Sequence, residues 1–314
     1  MAIVLLKDHR VKLDMLWRPI DIIACHALGK YFVGADSIDE VLMIGESLKK
    51  QGYEVTYNLL GEHVKNERDV GSAVRTMNSL ISKMNFDNSG NISCKPTLFG
   101  LAISKDLFRN KIGQVIEFAH NIGIETEFDA ENYEYIRDTF EVFSYFASVP
   151  VLRDSVRQAV QAHLKNIIPL MDKNNLWDKN LRIVKGSGVY DDLSEVCETR
   201  EDKIKQRYFE ILRRNIENRM IPFVATVRDR NLAESIIKIT GDGEYRFEFQ
   251  MLYGPLGRRL GKKLLSRGYP VRIYLPFVVD WCRDVWKPYG LRRAQMMRNI
   301  MWEEVKDKFG GKRR

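Results

Sequence analysis

Cysteine is scarce and scattered in this chain. Cys25, Cys94, Cys197 and Cys282 are all there is, and no two form a CxxC pair. That spacing argues against a disulfide framework or a zinc site and suits a reducing compartment. The five histidines show no HExxH spacing, so no metal is expected. Long apolar runs are missing too. A membrane-spanning helix needs about 18 or more consecutive apolar residues. The most apolar N-terminal window, residues 15–34, contains Arg18, Asp21, His26 and Lys30. It lacks the basic cluster and apolar core of a signal peptide, so a cytoplasmic location is expected. There is no GxSxG, and no Ser or Cys has a clear His partner.

What is present is ordinary globular composition, 45% hydrophobic and 29% charged over 314 residues. The charge is unevenly spread. Residues 258–314 carry 16 Lys and Arg against 5 Asp and Glu, whereas residues 1–257 carry 34 against 37. A basic C-terminal region fits a solvated helix, an anionic ligand or an anionic membrane surface. No zinc finger, RNP-like aromatic motif or long basic run accompanies it, so no nucleic-acid partner is expected.

Eight short β-like runs recur, at 53–60, 92–101, 124–130, 156–164, 181–188, 221–227, 245–252 and 270–277. Helical spacing lies between them, as in Val70, Val74, Met77, Leu80, Ile81 and Met84. Several of these patterns end in a glycine suited to a helix C-terminus. Eight alternating strands and helices predict an α/β fold, a (β/α)8 barrel. An open doubly wound sheet would want a Gly-rich turn after its first strand, and "LLGEHVKNERD" holds one glycine. Residues 1–50 are expected to be a helical lead-in and residues 51–314 the barrel, finishing in a basic helix.

In such a barrel, reactive groups gather where strands end. The strand ends read Glu62, Lys95, Asp129 with Glu131, Gln161, Lys185, Thr226, Gln250 and Tyr274. Burying such groups costs a few kcal/mol each unless something pairs with them. Many donors without a nucleophile–base pair suit a large polar cofactor that carries the chemistry itself. Inside the most apolar run, "FEFQMLYG" (247–254), stand Glu248 and Gln250. Gln250 is expected to point into the barrel mouth, and Glu248 to join a buried polar pair.

The ordered series "NLLGE" (58–62), "KPTLFGLAIS" (95–104), "FDAEN" (128–132), "VQAHLK" (160–165), "LRIVKGSG" (181–188), "VAT" (224–226), "FEFQMLYG" (247–254), "RGYPVRIYLPF" (267–277) and "RR" (292–293) resembles the proline dehydrogenase family. The resemblance runs from about Phe32 to Arg293. It implies a distorted (β/α)8 barrel with non-covalent FAD at its C-terminal mouth and a final helix over that mouth. It implies oxidation of L-proline to Δ1-pyrroline-5-carboxylate, with electrons passed to a membrane quinone and peripheral contact with the inner membrane. The catalytic set it implies is Lys95, Asp129, Tyr274, Arg292 and Arg293, with fixed cations meeting the substrate carboxylate. The cofactor set it implies is Gln161, Arg182, Lys185, Gly186, Thr226 and Gln250. The pattern departs from the family at Val227, where histidine is usual, within "KGSGVY", and after Arg293. Two alternatives stay open: a flavin-dependent dehydrogenase of a related cyclic or N-alkyl amino acid, and a catalytically silent barrel that binds an anionic surface.

Overall fold

The computed structural model describes residues 33–84, 90–186, 195–225, 229–240 and 247–282. Thr226, Arg292, Arg293 and the expected final helix lie outside the described residues.

Eight parallel strands close into one barrel: β1 (Glu54–Leu59), β2 (Asn91–Cys94), β3 (Glu125–Phe128), β4 (Val156–Gln161), β5 (Leu181–Val184), β6 (Phe223–Ala225), β7 (Glu248–Leu252) and β8 (Val271–Phe277). Closure is made by β1 on β8, in register from Glu54 with Arg272 to Leu59 with Phe277. Every expected strand is present, and each is shorter than its apolar run. The second run stops at Cys94 because Pro96 has no N–H to offer a ladder and the chain turns over 96–103.

The described helices are α1 (Ile38–Lys49), α2 (Glu67–Lys83), α3 (Lys105–Asn121), α4 (Tyr133–Ser148), α5 (Ile167–Lys173), α6 (Glu201–Glu217), α7 (Arg230–Thr240) and α8 (Pro255–Leu265). Their starts are set by short polar side chains. Ser37, Asn66 and Ser104 each accept a backbone N–H three residues on, which satisfies a donor the first turn leaves open. Gly123, at φ 77°, turns the chain out of α3 in a left-handed conformation that suits glycine. The lead-in segment joins the barrel before α1 begins. The Gly34 N–H donates to the Pro276 carbonyl at 2.7 Å, and Ala35 bridges Phe277.

Alternation along the strands sorts side chains into two layers. Val55, Tyr57, Leu59, Ile92, Phe128, Ile183, Phe249, Met251, Ile273 and Leu275 face the helices and are almost wholly buried. They form the apolar core. Inside the barrel the chain places Thr56, Asn58, Ser93, Glu127, Arg157, Gln161, Arg182, Gln250, Arg272 and Tyr274. A barrel interior is usually filled with branched aliphatic residues; this one is polar.

The N-terminal end of the barrel is plugged by two ion pairs around an aromatic ring. Arg157 Nε reaches Glu125 at 3.0 and 3.1 Å, and its Nη1 donates to the Leu181 and Ile221 carbonyls. Arg272 pairs with Glu248 and donates to the Val55 carbonyl at 2.9 Å. The Phe223 ring lies beneath both guanidiniums, 3.5 Å from Arg157 and 4.6 Å from Arg272. This accounts for the acid inside the apolar β7: Glu248 belongs to a buried pair, as its sequence setting predicts.

Candidate active site

Toward the C-terminal end, side chains from β5 and β8 and from the residue after β2 converge on Asp129, which directly follows β3. Lys95 Nζ stands 3.2 Å from Asp129 Oδ2 and donates to the Ala130 carbonyl at 2.8 Å. Arg182 Nη2 pairs with Asp129 Oδ1. The Tyr274 hydroxyl donates to Oδ2 at 3.1 Å and lies 3.1 Å from Ser93 Oγ. The Ala130 N–H donates to Oδ1 at 2.8 Å. Burial by itself would raise the Asp129 carboxyl. Lys95 and Arg182 overcome that and hold it well below the usual carboxylate range. It stays ionised across physiological pH.

Arg182 is the hub of the deeper layer. Its Nη1 donates to Gln250 Oε1 at 3.3 Å, its Nε lies 3.1 Å from Glu127 Oε1, and its guanidinium covers the Tyr274 ring at 5.0 Å. Burial disfavours a cation there, but Glu127 and Asp129 more than compensate and push its pKa up. Gln250 Nε2 donates to Thr56 Oγ1 at 3.2 Å. Burial and the nearby Asp129 charge push the Tyr274 phenol well above its ordinary value, so it remains a donor.

Lys95, Asp129, Arg182, Gln250 and Tyr274 thus form one connected network. Gln250 and Tyr274 sit within their strands rather than at strand ends. Gln161 closes β4 and is buried. Lys185 leans outward instead, 2.6 Å from Glu201 on α6 and 3.8 Å from Asp229. Gly186 has φ 73°, and a Cβ there would overlap the His163 ring, so the close approach this glycine permits is to that imidazole. Glu131 accepts from Thr97 N at 2.8 Å and Thr97 Oγ1 at 2.7 Å, and its carboxylate still feels the charges of Lys95 and Asp129.

The interior residues Thr56, Ser93 and above all Glu127 escape a reading that looks only at strand ends. Their signal is alternation: Glu125, Glu127 and Asp129 occupy every second position, which places three carboxylates on one strand face.

The sequence pattern described as Proline dehydrogenase matches residues 41–295. The chain belongs to the proline dehydrogenase family. Proline dehydrogenase 2 of Bacillus subtilis (strain 168) is 27% identical over 262 residues, covering 81% of this chain and 83% of the relative. Proline dehydrogenase of Deinococcus radiodurans is 26% identical, with 81% and 83% covered. Among solved structures, proline utilization A from Bdellovibrio bacteriovorus, inactivated by N-propargylglycine, superimposes with a TM-score of 0.72 at 20% identity. That match covers 86% of this chain, which spans about a third (32%) of the longer protein, and it shows a shared fold. Family and fold together support an oxidoreductase acting on proline.

The interior chemistry fits a flavin dinucleotide, the group the resemblance implies. The described network offers N–H donors from Lys95, Arg182 and Gln250, with Gln161 nearby at the end of β4, and its carboxylates Glu127 and Asp129 already face cations. A ring system that gains negative charge on reduction and a pyrophosphate call for donors and cations without uncompensated acid.

Proposed function

We propose that this protein oxidises L-proline to Δ1-pyrroline-5-carboxylate, with non-covalent FAD as the first electron acceptor and a membrane quinone as the next. The observation that carries the reading is the single network joining Lys95, Asp129, Arg182 and Tyr274 at one end of a closed barrel. Bound FAD would supply the hydride acceptor. Gln161, Arg182, Lys185, Gly186, Thr226 and Gln250 are the residues proposed to hold it.

The chain's own contribution is binding and orientation. Lys95 presents a fixed cation to the proline carboxylate, because Asp129 and the Ala130 carbonyl already set its position. Arg292 and Arg293 are proposed to complete the clamp with charge-assisted, bidentate contacts. Tyr274, its hydroxyl tied to Asp129 and Ser93, offers a fixed ring edge to the pyrrolidine. Asp129 offsets the cations so that an empty site does not concentrate unbalanced positive charge.

Approach to a membrane quinone is supported by α8, which presents Arg258, Arg259, Lys262 and Lys263 to solvent. Trp281 does not join that face, since its indole N–H donates to Thr76 Oγ1 on α2 at 2.9 Å. No described helix is long and apolar enough to cross a membrane.

The test is a visible spectrum of the purified protein followed by anaerobic L-proline. Flavin bands that bleach with L-proline are expected. A colourless protein would refute the cofactor assignment. Bleaching by an N-alkyl or other cyclic amino acid but not by L-proline would move the substrate.

A further inference from the structure

Glu127 is fully buried inside the barrel on β3, one inward position below Asp129, which follows that strand. Its Oε1 lies 3.1 Å from Arg182 Nε, and its Oε2 is within 3.5 Å of Gln250 Nε2. Together with Asp129 on Nη2 and Gln250 on Nη1, it holds the guanidinium along three of its edges. The Nε contact is close but off the N–H axis, so neither Nε nor Oε1 completes a hydrogen bond there. Burial pushes the Glu127 carboxyl above its ordinary range and the Arg182 charge opposes that, so the contact at that edge is electrostatic rather than directional. Nothing in proline binding needs Glu127, since the substrate side of the network is Lys95, Asp129 and Tyr274.

We propose that Glu127 is a positioning residue: it seats Arg182 from beneath and cancels one unit of positive charge under the flavin site. This rests on the proline–flavin reading above. With Glu127 ionised, Lys95 and Arg182 face Asp129 and Glu127, and Glu131 adds a further carboxylate beside Lys95. Removing the Glu127 charge makes the surroundings of Arg182 one unit more positive and frees the Nε edge. The two consequences are separable. Reduction adds negative charge to a flavin, so the more positive surroundings favour it. A loosened Arg182, by contrast, slows the transfer itself, because small misplacements of a positioned group are costly in rate.

The test uses the full-length, flavin-loaded enzyme and Glu127→Gln, which keeps the shape and removes the charge. Potentiometry of the bound flavin is expected to show the reduction equilibrium shifted about tenfold toward the reduced form, about 30 mV more positive for a two-electron couple. Stopped-flow reduction by L-proline is expected to slow about tenfold despite that more favourable driving force, with KM changed by less than about twofold. Glu127→Asp keeps the charge but retracts it by one methylene. It is expected to restore the potential and not the rate. An unchanged potential in Glu127→Gln, or a shifted potential with undiminished reduction rate, overturns the proposal. Should Glu127→Gln give no folded protein, Glu127→Asp decides alone: slow reduction at wild-type potential supports the proposal, wild-type rate overturns it. Wild-type enzyme that lacks flavin or ignores L-proline would instead fail the functional reading, so the two failures are distinguishable.

Discussion

Asp129→Asn is the substitution that most directly tests the electrostatic construction of the site. The carboxylate takes Lys95 at 3.2 Å, Arg182, the Tyr274 hydroxyl at 3.1 Å and the Ala130 N–H at 2.8 Å, and it is 9% exposed. At an effective dielectric constant near 20, a pair at the Lys95 distance attracts by about 5 kcal/mol before desolvation is subtracted. An amide in its place keeps the shape but leaves Lys95 and Arg182 facing each other with one anion fewer. Breaking a buried pair in this way costs about 3–5 kcal/mol. Urea unfolding of wild type and variant at pH 7 is expected to differ by that amount. The folded-state pKa of Asp129 lies below its unfolded value. Its stabilisation is therefore fully present above the unfolded carboxyl value of about 3.9 and is lost as pH falls through that value toward the folded one. The difference between wild type and Asp129→Asn should be flat from neutral pH to about 5 and shrink below about 4. A difference of about 0–1 kcal/mol, the range of exposed ion pairs, or one that grows as pH falls, would refute the argument.

Two further outcomes are expected. Gly186→Ala should destabilise the loop after β5 by about 1–2 kcal/mol from φ alone, with an added steric part from the His163 ring; thermal unfolding of Gly186→Ala, His163→Ala and the double variant should show His163→Ala recovering the steric part only, and strictly additive losses would show there is no such contact. Arg272→Met strands the buried Glu248 carboxylate and the Val55 carbonyl at the N-terminal plug; stability should fall by about 3–5 kcal/mol while KM for L-proline stays within about twofold, and a large KM change would show that the two ends of the barrel are coupled.

Most of the frame is legible in the sequence because a closed parallel barrel repeats one signal eight times. Each strand is short, and its outward face is apolar against helices of clear 3.6 period. Lys95 and Asp129 are legible because they directly follow their strands. Gln250 and Tyr274 can be picked out as residues, but their depth cannot, since barrel stagger sets which inward positions share a level. Glu127 needs a different question: not which residue ends the strand, but which residues share its face. Pairings that bridge distant segments, such as Lys185 with Glu201 or Gly186 with His163, are not written in any local pattern. They follow from how the loops at the C-terminal mouth pack.

The polar interior also explains how one barrel can be both stable and reactive. Its apolar burial lies outside the strands, between sheet and helices. The inside is therefore free to hold charge, provided every charge is paired: Arg157 with Glu125, Arg272 with Glu248, Arg182 with Glu127, Lys95 with Asp129. The first two pairs are closed by backbone carbonyls and an aromatic ring, and they seal one end. The last two lie toward the other end, where the proposed substrate and cofactor would meet the cations. A buried pair stabilises little on balance, because desolvation offsets much of its attraction. That near-balance suits the addition of a partner: a ligand anion meeting Lys95 beside Asp129 gains an ion pair while Asp129 keeps the cation in place. The sealed pairs lack such an entrant, so the same chemistry serves as structure at one end of the barrel and, under the proposed function, as a binding site at the other.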